Sequence, residues 1–301
     1  MDALRRLRRR LDRFDRFQQR HTALAFPLAV VKKFGDDRAG TAAATIAYYG
    51  FLSLFPLLLA LSTVAGIVLR GHPGLRARIL ASALAGFPVV GEQLRASVHA
   101  LPGSGLALVL GLVLALWAGL GVANATQQAM NDVWAVPRAR RPSYWQRRVR
   151  SLALIGLLGA STIAATLLAG IAAAAGGLGW PARVASVVAT LALNLVVFAV
   201  AFRVLTNAPL SWRTVLPGAA AATVGWAALQ ALGTLLVARR VASATPVYGT
   251  LGFVIGLLAW ISLGAQLVLY AAEVNAVLAG HRWPRRLFGP PGEDPLSPRA
   301  R

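Results

Sequence analysis

The sequence predicts an all-α polytopic membrane protein with six transmembrane helices and both termini in the cytoplasm. Three observations predict it. Of 301 residues, 57% are hydrophobic and only 14% charged, where a soluble domain carries about a quarter charged residues. The apolar residues gather into six stretches long enough to cross a bilayer, since about 20 residues at ~1.5 Å rise span a ~30 Å hydrocarbon core. The formal net charge of +21, from 31 Lys and Arg against 10 Asp and Glu, lies between those stretches rather than along one of them. This composition argues against a soluble enzyme, a disordered chain and a secreted scaffold. The absence of cysteine excludes disulfides, thiolate metal sites and cysteine nucleophiles.

In chain order, residues 1–41 form a basic N-terminal segment. Leu4, Leu7, Leu11, Phe14 and Phe17 recur at steps of three and four, with arginines between them. That spacing predicts an amphipathic helix lying on an anionic leaflet. A second apolar piece, Ala23–Val31 around Pro27, is too short to span and is assigned to the interface. The first full apolar stretch lies too far from the start for a cleavable signal peptide. Residues 42–280 form the membrane domain, with spans at Ala42–Leu69, Gly105–Ala123 (the helix continuing to Trp134), Leu152–Ala175, Val184–Phe202, Thr214–Val237 and Leu251–Ala279. Lipid offers backbone groups no partner, so a span is a helix or part of a closed barrel. Period-two alternation is missing, which selects helices. The outer segment Gly71–Ser104 holds Leu94, Val98 and Leu101 at helical spacing and predicts one or two short helices over the outer mouth. Residues 281–301 form a basic, Pro-rich tail that reads as disordered.

Orientation follows from the Lys and Arg distribution. With the N-terminus inside, 24 of the 31 fall on cytoplasmic segments, six of them between the second and third spans. The expected location is therefore the bacterial inner membrane.

Enzyme chemistry finds little support. The four histidines, at positions 21, 72, 99 and 281, form no ligand pair at helical spacing. There is no P-loop, no nucleophile elbow and no pair of carboxylates within a span. The expectation is a protein without catalytic residues, metal or cofactor.

The informative residues are polar ones inside apolar helices, because an ionisable group in lipid costs several kcal/mol and is a functional candidate by default. Glu273 is the clearest. Ser262, Gln266, Tyr270 and Glu273 form one stripe on the sixth span, and Asn275 follows. Asn124, Gln127, Gln128 and Asn131 form a matching stripe on the second, with Asp132 next. Tyr48 on the first span and Arg203 at the end of the fourth lie at similar depth. The carboxylate of Glu273 needs a proton or a cation, and Arg203, then Arg213, are the expected partners. Two readings fit this layer of Tyr48, Asn124, Gln127, Asn131, Arg203, Gln266, Tyr270, Glu273 and Asn275. It is hydrogen-bonding glue between helices, or it lines a polar path. Pro56 sits mid-span, where it frees a backbone carbonyl. Pro217 sits near a helix start, where proline is harmless.

Several short motifs carry a resemblance. They are Phe34-Gly35-Asp36-Asp37-Arg38-Ala39-Gly40, Ala47-Tyr48-Tyr49-Gly50-Phe51-Leu52-Ser53-Leu54-Phe55-Pro56, Asn131-Asp132-Val133-Trp134, Val215-Leu216-Pro217-Gly218-Ala219, Tyr248-Gly249-Thr250-Leu251-Gly252 and Ala272-Glu273-Val274-Asn275-Ala276. In this order, over about residues 30–280, the chain resembles the YihY/BrkB family. The resemblance implies a six-helix inner-membrane protein, a link to virulence through the family's name, and a role in lipid transport suggested for related proteins. The label ribonuclease BN has also been attached to the family, but no metal-ligand set or acid/base pair here supports a nuclease, and the positive-inside rule already explains the basic loops. The expected function is a transporter or flippase-like protein for an amphipathic anionic lipid. The alternative is a non-transporting envelope-assembly scaffold. The expected partners are membrane lipids of the anionic inner leaflet, one of them a substrate, and no nucleic acid.

Overall fold

The computed structural model describes residues 22–68, Gly74, 105–174, 179–240 and 249–280. Among them are seven α-helices and no strand: α1 (Thr22–Asp36), α2 (Ala39–Val68), α3 (Gly105–Val133), α4 (Tyr144–Ala174), α5 (Trp180–Leu205), α6 (Trp212–Arg240) and α7 (Gly249–Ala279), with a 3₁₀ turn at Arg138–Arg140. Five helices contain segments long and apolar enough to cross a membrane, Val109–Val133, Tyr144–Ala172, Trp180–Leu205, Trp212–Leu235 and Val254–Ala279. The first expected span coincides with α2, whose side chains beyond Pro56 lie outside the described residues. The helix expected over residues 4–17, those expected in Gly71–Ser104 (Gly74 aside), and the tail 281–301 also lie outside them.

Local chemistry accounts for the helix ends. Ser143 precedes α4, and its backbone N–H donates to Gln146 Oε1 at 3.2 Å, half of a capping box. Pro181 stands in the first turn of α5, where its missing N–H costs nothing. Ser211 caps α6 by accepting the Thr214 N–H at 3.2 Å. α1 and α3 both end on a non-glycine residue in the left-handed region, Arg38 (φ 53°) and Ala135 (φ 50°). After α3, the Val136 N–H returns to the Asn131 carbonyl at 2.8 Å, which closes the helix terminus and turns the chain.

Each of α3 to α7 packs beside its predecessor, α2 lies along α3, and α7 touches α6, α3, α2 and α1. The interior is built of small side chains, among them Ala43, Ala123, Ala219, Ala222, Ala265, Ala272 and Ala276, with Phe202, Met130, Leu205 and Leu269 filling the space between. Small residues let helices approach closely where hydrophobic burial gives little gain. Apolar residues face outward: Leu158, Ile163, Leu167 and Ile171 on α4, and Val184, Val187, Val188 and Val196 on α5. An outer surface this apolar is matched to acyl chains, not to water.

α6 approaches α7 closely at Gly218, inside α6 beside Pro217. A methyl group there would overlap the Ala271 carbonyl oxygen and the Asn275 amide. At Gly156 on α4 the same methyl would meet nothing within 4 Å. Gly218→Ala is therefore expected to destabilise the bundle by about 2–3 kcal/mol through overpacking against backbone, whereas Gly156→Ala is neutral or stabilising by up to ~1 kcal/mol. Thermal unfolding of both variants in detergent checks the contrast.

Candidate functional site

The buried charges meet where α1 ends. Glu273 on α7 is 0% exposed and Lys33 on α1 is 2% exposed. Lys33 Nζ stands 2.8 Å from Glu273 Oε2. The same ammonium pairs with Asp37, one turn on, and donates to the Val133 carbonyl at 2.7 Å. Val133 closes α3, so its carbonyl is one of the last four that have no partner within the helix. The helix dipole also places partial negative charge there, which favours a cation. A lysine has three N–H donors; two are hydrogen-bonded to Asp37 and Val133, and Glu273 adds an ion-pair contact from a third part of the chain. Glu273 faces the ammonium as an ion pair, and neither Oε1 nor Oε2 has a hydrogen-bond partner among the described residues. Around this cluster, Ala29, Val30 and Val277 are buried together, and Phe34 stacks on Tyr270 with centroids 3.8 Å apart.

A second set of polar contacts starts from α3. Gln127 Nε2 donates to Ser151 Oγ at 2.9 Å and to the Arg147 carbonyl at 3.2 Å. Ser151 Oγ in turn donates to Asn124 Oδ1 at 3.4 Å. One turn further along α3, Asn131 Oδ1 accepts the backbone N–H of Asn207 at 2.8 Å. Asn124, Gln127 and Asn131 recur at steps of three and four, so they share one face. That face holds the first turns of α4 and the connection from α5 to α6.

Those two segments frame an open cleft of about 370 Å³ at the basic end of the bundle, lined by Arg150, Arg203, Thr206, Asn207 and the following residues to Leu210. Arg203 lies over the Trp212 ring at 4.5 Å from its centroid, a cation–π contact that holds the guanidinium in place. Arg150 Nη1 and Thr206 Oγ1 are buried and have no hydrogen-bond partner among the described residues. Beside the cleft, Arg141 is held by Asp132 at 2.6 Å.

The structure separates residues that depth alone grouped in one layer. Glu273 pairs with Lys33, not with the expected Arg203 or Arg213. Arg203 is occupied by Trp212 in the cleft, and Arg213 is exposed. Tyr48 is 57% exposed and faces outward, because depth along a helix says nothing about its angular position. Gln266 donates to Ser262 of its own helix at 3.3 Å, and Tyr270 meets α1. Asn275 joins α7 to α6, accepting the Gly218 N–H at 2.6 Å and donating to the Val215 carbonyl at 3.2 Å. Pro217 therefore adjoins a helix contact rather than being an inert start residue. Sequence reading missed Lys33, Ser151 and Thr206. Lys33 carries a signal, a lysine four residues before Asp37 at the end of a short apolar helix, but charge distribution alone marks it only as a residue orienting the chain.

Lys33 has three oxygen contacts and Glu273 one cation, so the two halves of the pair are unequal. Lys33→Met strands a buried carboxylate and is expected to cost about 3–5 kcal/mol. Glu273→Gln leaves the ammonium with Asp37 and Val133 and costs distinctly less. Lys33→Met combined with Glu273→Leu recovers most of the loss. Equilibrium unfolding of the three variants checks this; equal losses for the two single substitutions would count against an ionic seam.

Comparison with known proteins agrees with this architecture. Residues 30–293 match the family model described as "Virulence factor BrkB". The putative ribonuclease-like protein YfkH of Bacillus subtilis (strain 168) is 28% identical over 248 residues, covering 78% of this chain and 88% of that protein. The inner membrane protein YhjD of Escherichia coli (strain K12) is 28% identical over 164 residues, covering 51% of this chain and 49% of that protein. A UPF0761 membrane protein of Alkalilimnicola ehrlichii is 32% identical over 289 residues, covering 90% of this chain and 62% of that protein. The chain thus spans about half of YhjD and less than two thirds of the UPF0761 protein. No solved structure matches. The family match runs through α1, α3 and α7, the helices that supply Lys33, Val133 and Glu273, and the chain belongs to the BrkB family of membrane proteins.

Proposed function

We propose that the protein crosses the inner membrane six times, with α2 as the first span ahead of the other five and both termini in the cytoplasm, and that it handles an amphipathic anionic lipid in the manner of a transporter or flippase. The observation that supports this reading is the form of the cleft. Its two guanidinium groups sit at the basic end of the bundle, and Arg150 shares one turn of α4 with Val149 and Leu152, both exposed and apolar. A polar mouth next to an acyl-facing surface suits a molecule with a charged head and apolar tails. The excess of Lys and Arg on that side supports placing it at the anionic inner leaflet. The reading assigns no catalytic chemistry, cofactor or nucleic acid partner to the chain. Any driving force comes from a gradient, a partner or the lipid's own concentration difference.

A second reading, a non-transporting envelope-assembly scaffold, is favoured by one specific observation. Lys33 and Glu273 form a closed seam with neither group exposed, and the amides of Asn124, Gln127, Asn131 and Asn275 are engaged in contacts with other segments. Under this reading the polar residues serve only cohesion.

Proteoliposomes separate the two. Fluorescent phosphatidylglycerol and phosphatidylcholine probes, followed by quenching from outside, are expected to show protein-dependent movement of the anionic probe at least several-fold above empty vesicles. The zwitterionic probe is expected to move less. Movement of neither probe above the empty-vesicle rate would overturn the lipid reading in favour of the scaffold.

A further inference from the structure

We propose that the cleft between α4, α5 and the α5–α6 connection is a binding site for a phosphate group, with Arg150, Arg203 and Thr206 as its donors. This rests on the reading above in taking the cleft as the place where an anionic head is received, and it adds the chemical group and the atoms that would hold it.

Two polar groups at this cleft lack partners among the described residues. Buried polar groups are nearly always paired, and an unpaired one pays its full desolvation penalty. Here two stand at one cleft. Arg150 Nη1 is buried and unpartnered among the described residues, and so is the hydroxyl of Thr206, a residue only 2% exposed. Both residues line the same open space. A third donor group, the Arg203 guanidinium, is oriented by Trp212 at 4.5 Å while the residue as a whole remains exposed. No carboxylate is among the residues that line the cleft. Asp132, nearby in sequence to the α3 amides, is already taken by Arg141. The site is therefore rich in hydrogen-bond donors and carries two positive charges with no compensating anion on its described walls.

The shape of the donor set selects the ligand class. Guanidinium groups present planar forks that match the paired oxygens of a phosphate, and such charge-assisted bonds are the strong ones. A hydroxyl adds a third direction of donation, which suits a tetrahedral anion better than a flat carboxylate. The walls are also held in advance. Gln127 anchors Ser151 and the Arg147 carbonyl, on either side of Arg150. Asn131 anchors Asn207, next to Thr206. The α3 amides that the sequence marks as polar within a span thus act as positioning residues: they need not touch the ligand, because they fix the two segments that do. Preorganisation of this kind lowers the ordering cost of binding.

A phosphate can reach the cleft as a lipid head group or as a water-soluble phosphate. The test uses purified full-length protein in detergent, with binding followed by calorimetry for inorganic phosphate, dihexanoyl phosphatidic acid and dihexanoyl phosphatidylcholine. Phosphate and phosphatidic acid are expected to bind and phosphatidylcholine to bind at least tenfold more weakly. Arg150→Gln with Arg203→Gln is expected to lower phosphatidic acid affinity by about a hundredfold, and Thr206→Val by about tenfold, with Thr206→Ser close to wild type. Gln127→Ala is expected to weaken binding less than Arg150→Gln. Size-exclusion profiles confirm that each variant remains folded. Phosphatidic acid binding tenfold or more tightly than inorganic phosphate assigns the site to a lipid head group. Equal affinities assign it to a soluble phosphate, so that the site stands while the lipid reading fails. Binding of neither, or binding unchanged in the double arginine variant, overturns the site. Anionic-probe movement that persists in that variant would overturn the site while leaving lipid handling in place.

Discussion

An ammonium group enclosed by apolar helices has to be surrounded by acceptors, and the place where enough acceptors converge dictates how the helices assemble. Lys33 meets this demand with a carboxylate from α7, a carboxylate one turn ahead on its own segment, and the last carbonyl of α3. Three parts of the chain that are far apart in sequence are thereby drawn to one point. The short helix α1 is tied to the bundle by this contact and by the apolar packing of Ala29 and Val30 on Val277. α7, which touches α6, α3, α2 and α1, is the element through which this constraint is passed to the rest. Removing one side of a buried pair is costlier than the pair is stabilising.

The polar residues divide into two groups with different work. At the α1–α3–α7 junction they are closed in and ion-paired, with both Glu273 oxygens lacking a hydrogen bond among the described residues. At the mouth between α4, α5 and α6 they are open and hold donors without acceptors. The α3 face of Asn124, Gln127 and Asn131 serves the second group, since its hydrogen bonds run to α4 and to the α5–α6 connection. Under the proposed reading of the cleft, cohesion and recognition are linked physically rather than being alternatives. The same amides that hold helices together set the walls of a region where charge faces open space.

Close packing supplies the other half of the construction. Gly218 lets α7 approach α6 until Asn275 reaches the backbone on both sides of Pro217. The run of buried alanines from Ala43 to Ala276 does the same on a broader scale. In acyl surroundings, where burial of apolar surface gives little preference for one partner over another, such close contact and a few well-placed amides determine which helices lie side by side.

By itself, the sequence determined that this chain forms long apolar helices, and it placed them within a few residues of where they lie, except that α4 begins at Tyr144, eight residues before the expected Leu152. Hydropathy runs and helix-end chemistry act locally, and the environment of lipid leaves no other way to satisfy the backbone. It also determined which polar residues lie deep within those helices, because depth follows directly from position along a rising chain. What only the tertiary structure decided is the pairing. Glu273 found Lys33 rather than Arg203, Tyr48 turned outward, and Arg203 joined Arg150 and Thr206 at a cleft. A partner is set by the angle around each helix and by which helices are neighbours, and both emerge only from packing, where side chains distant in sequence compete for the same contact.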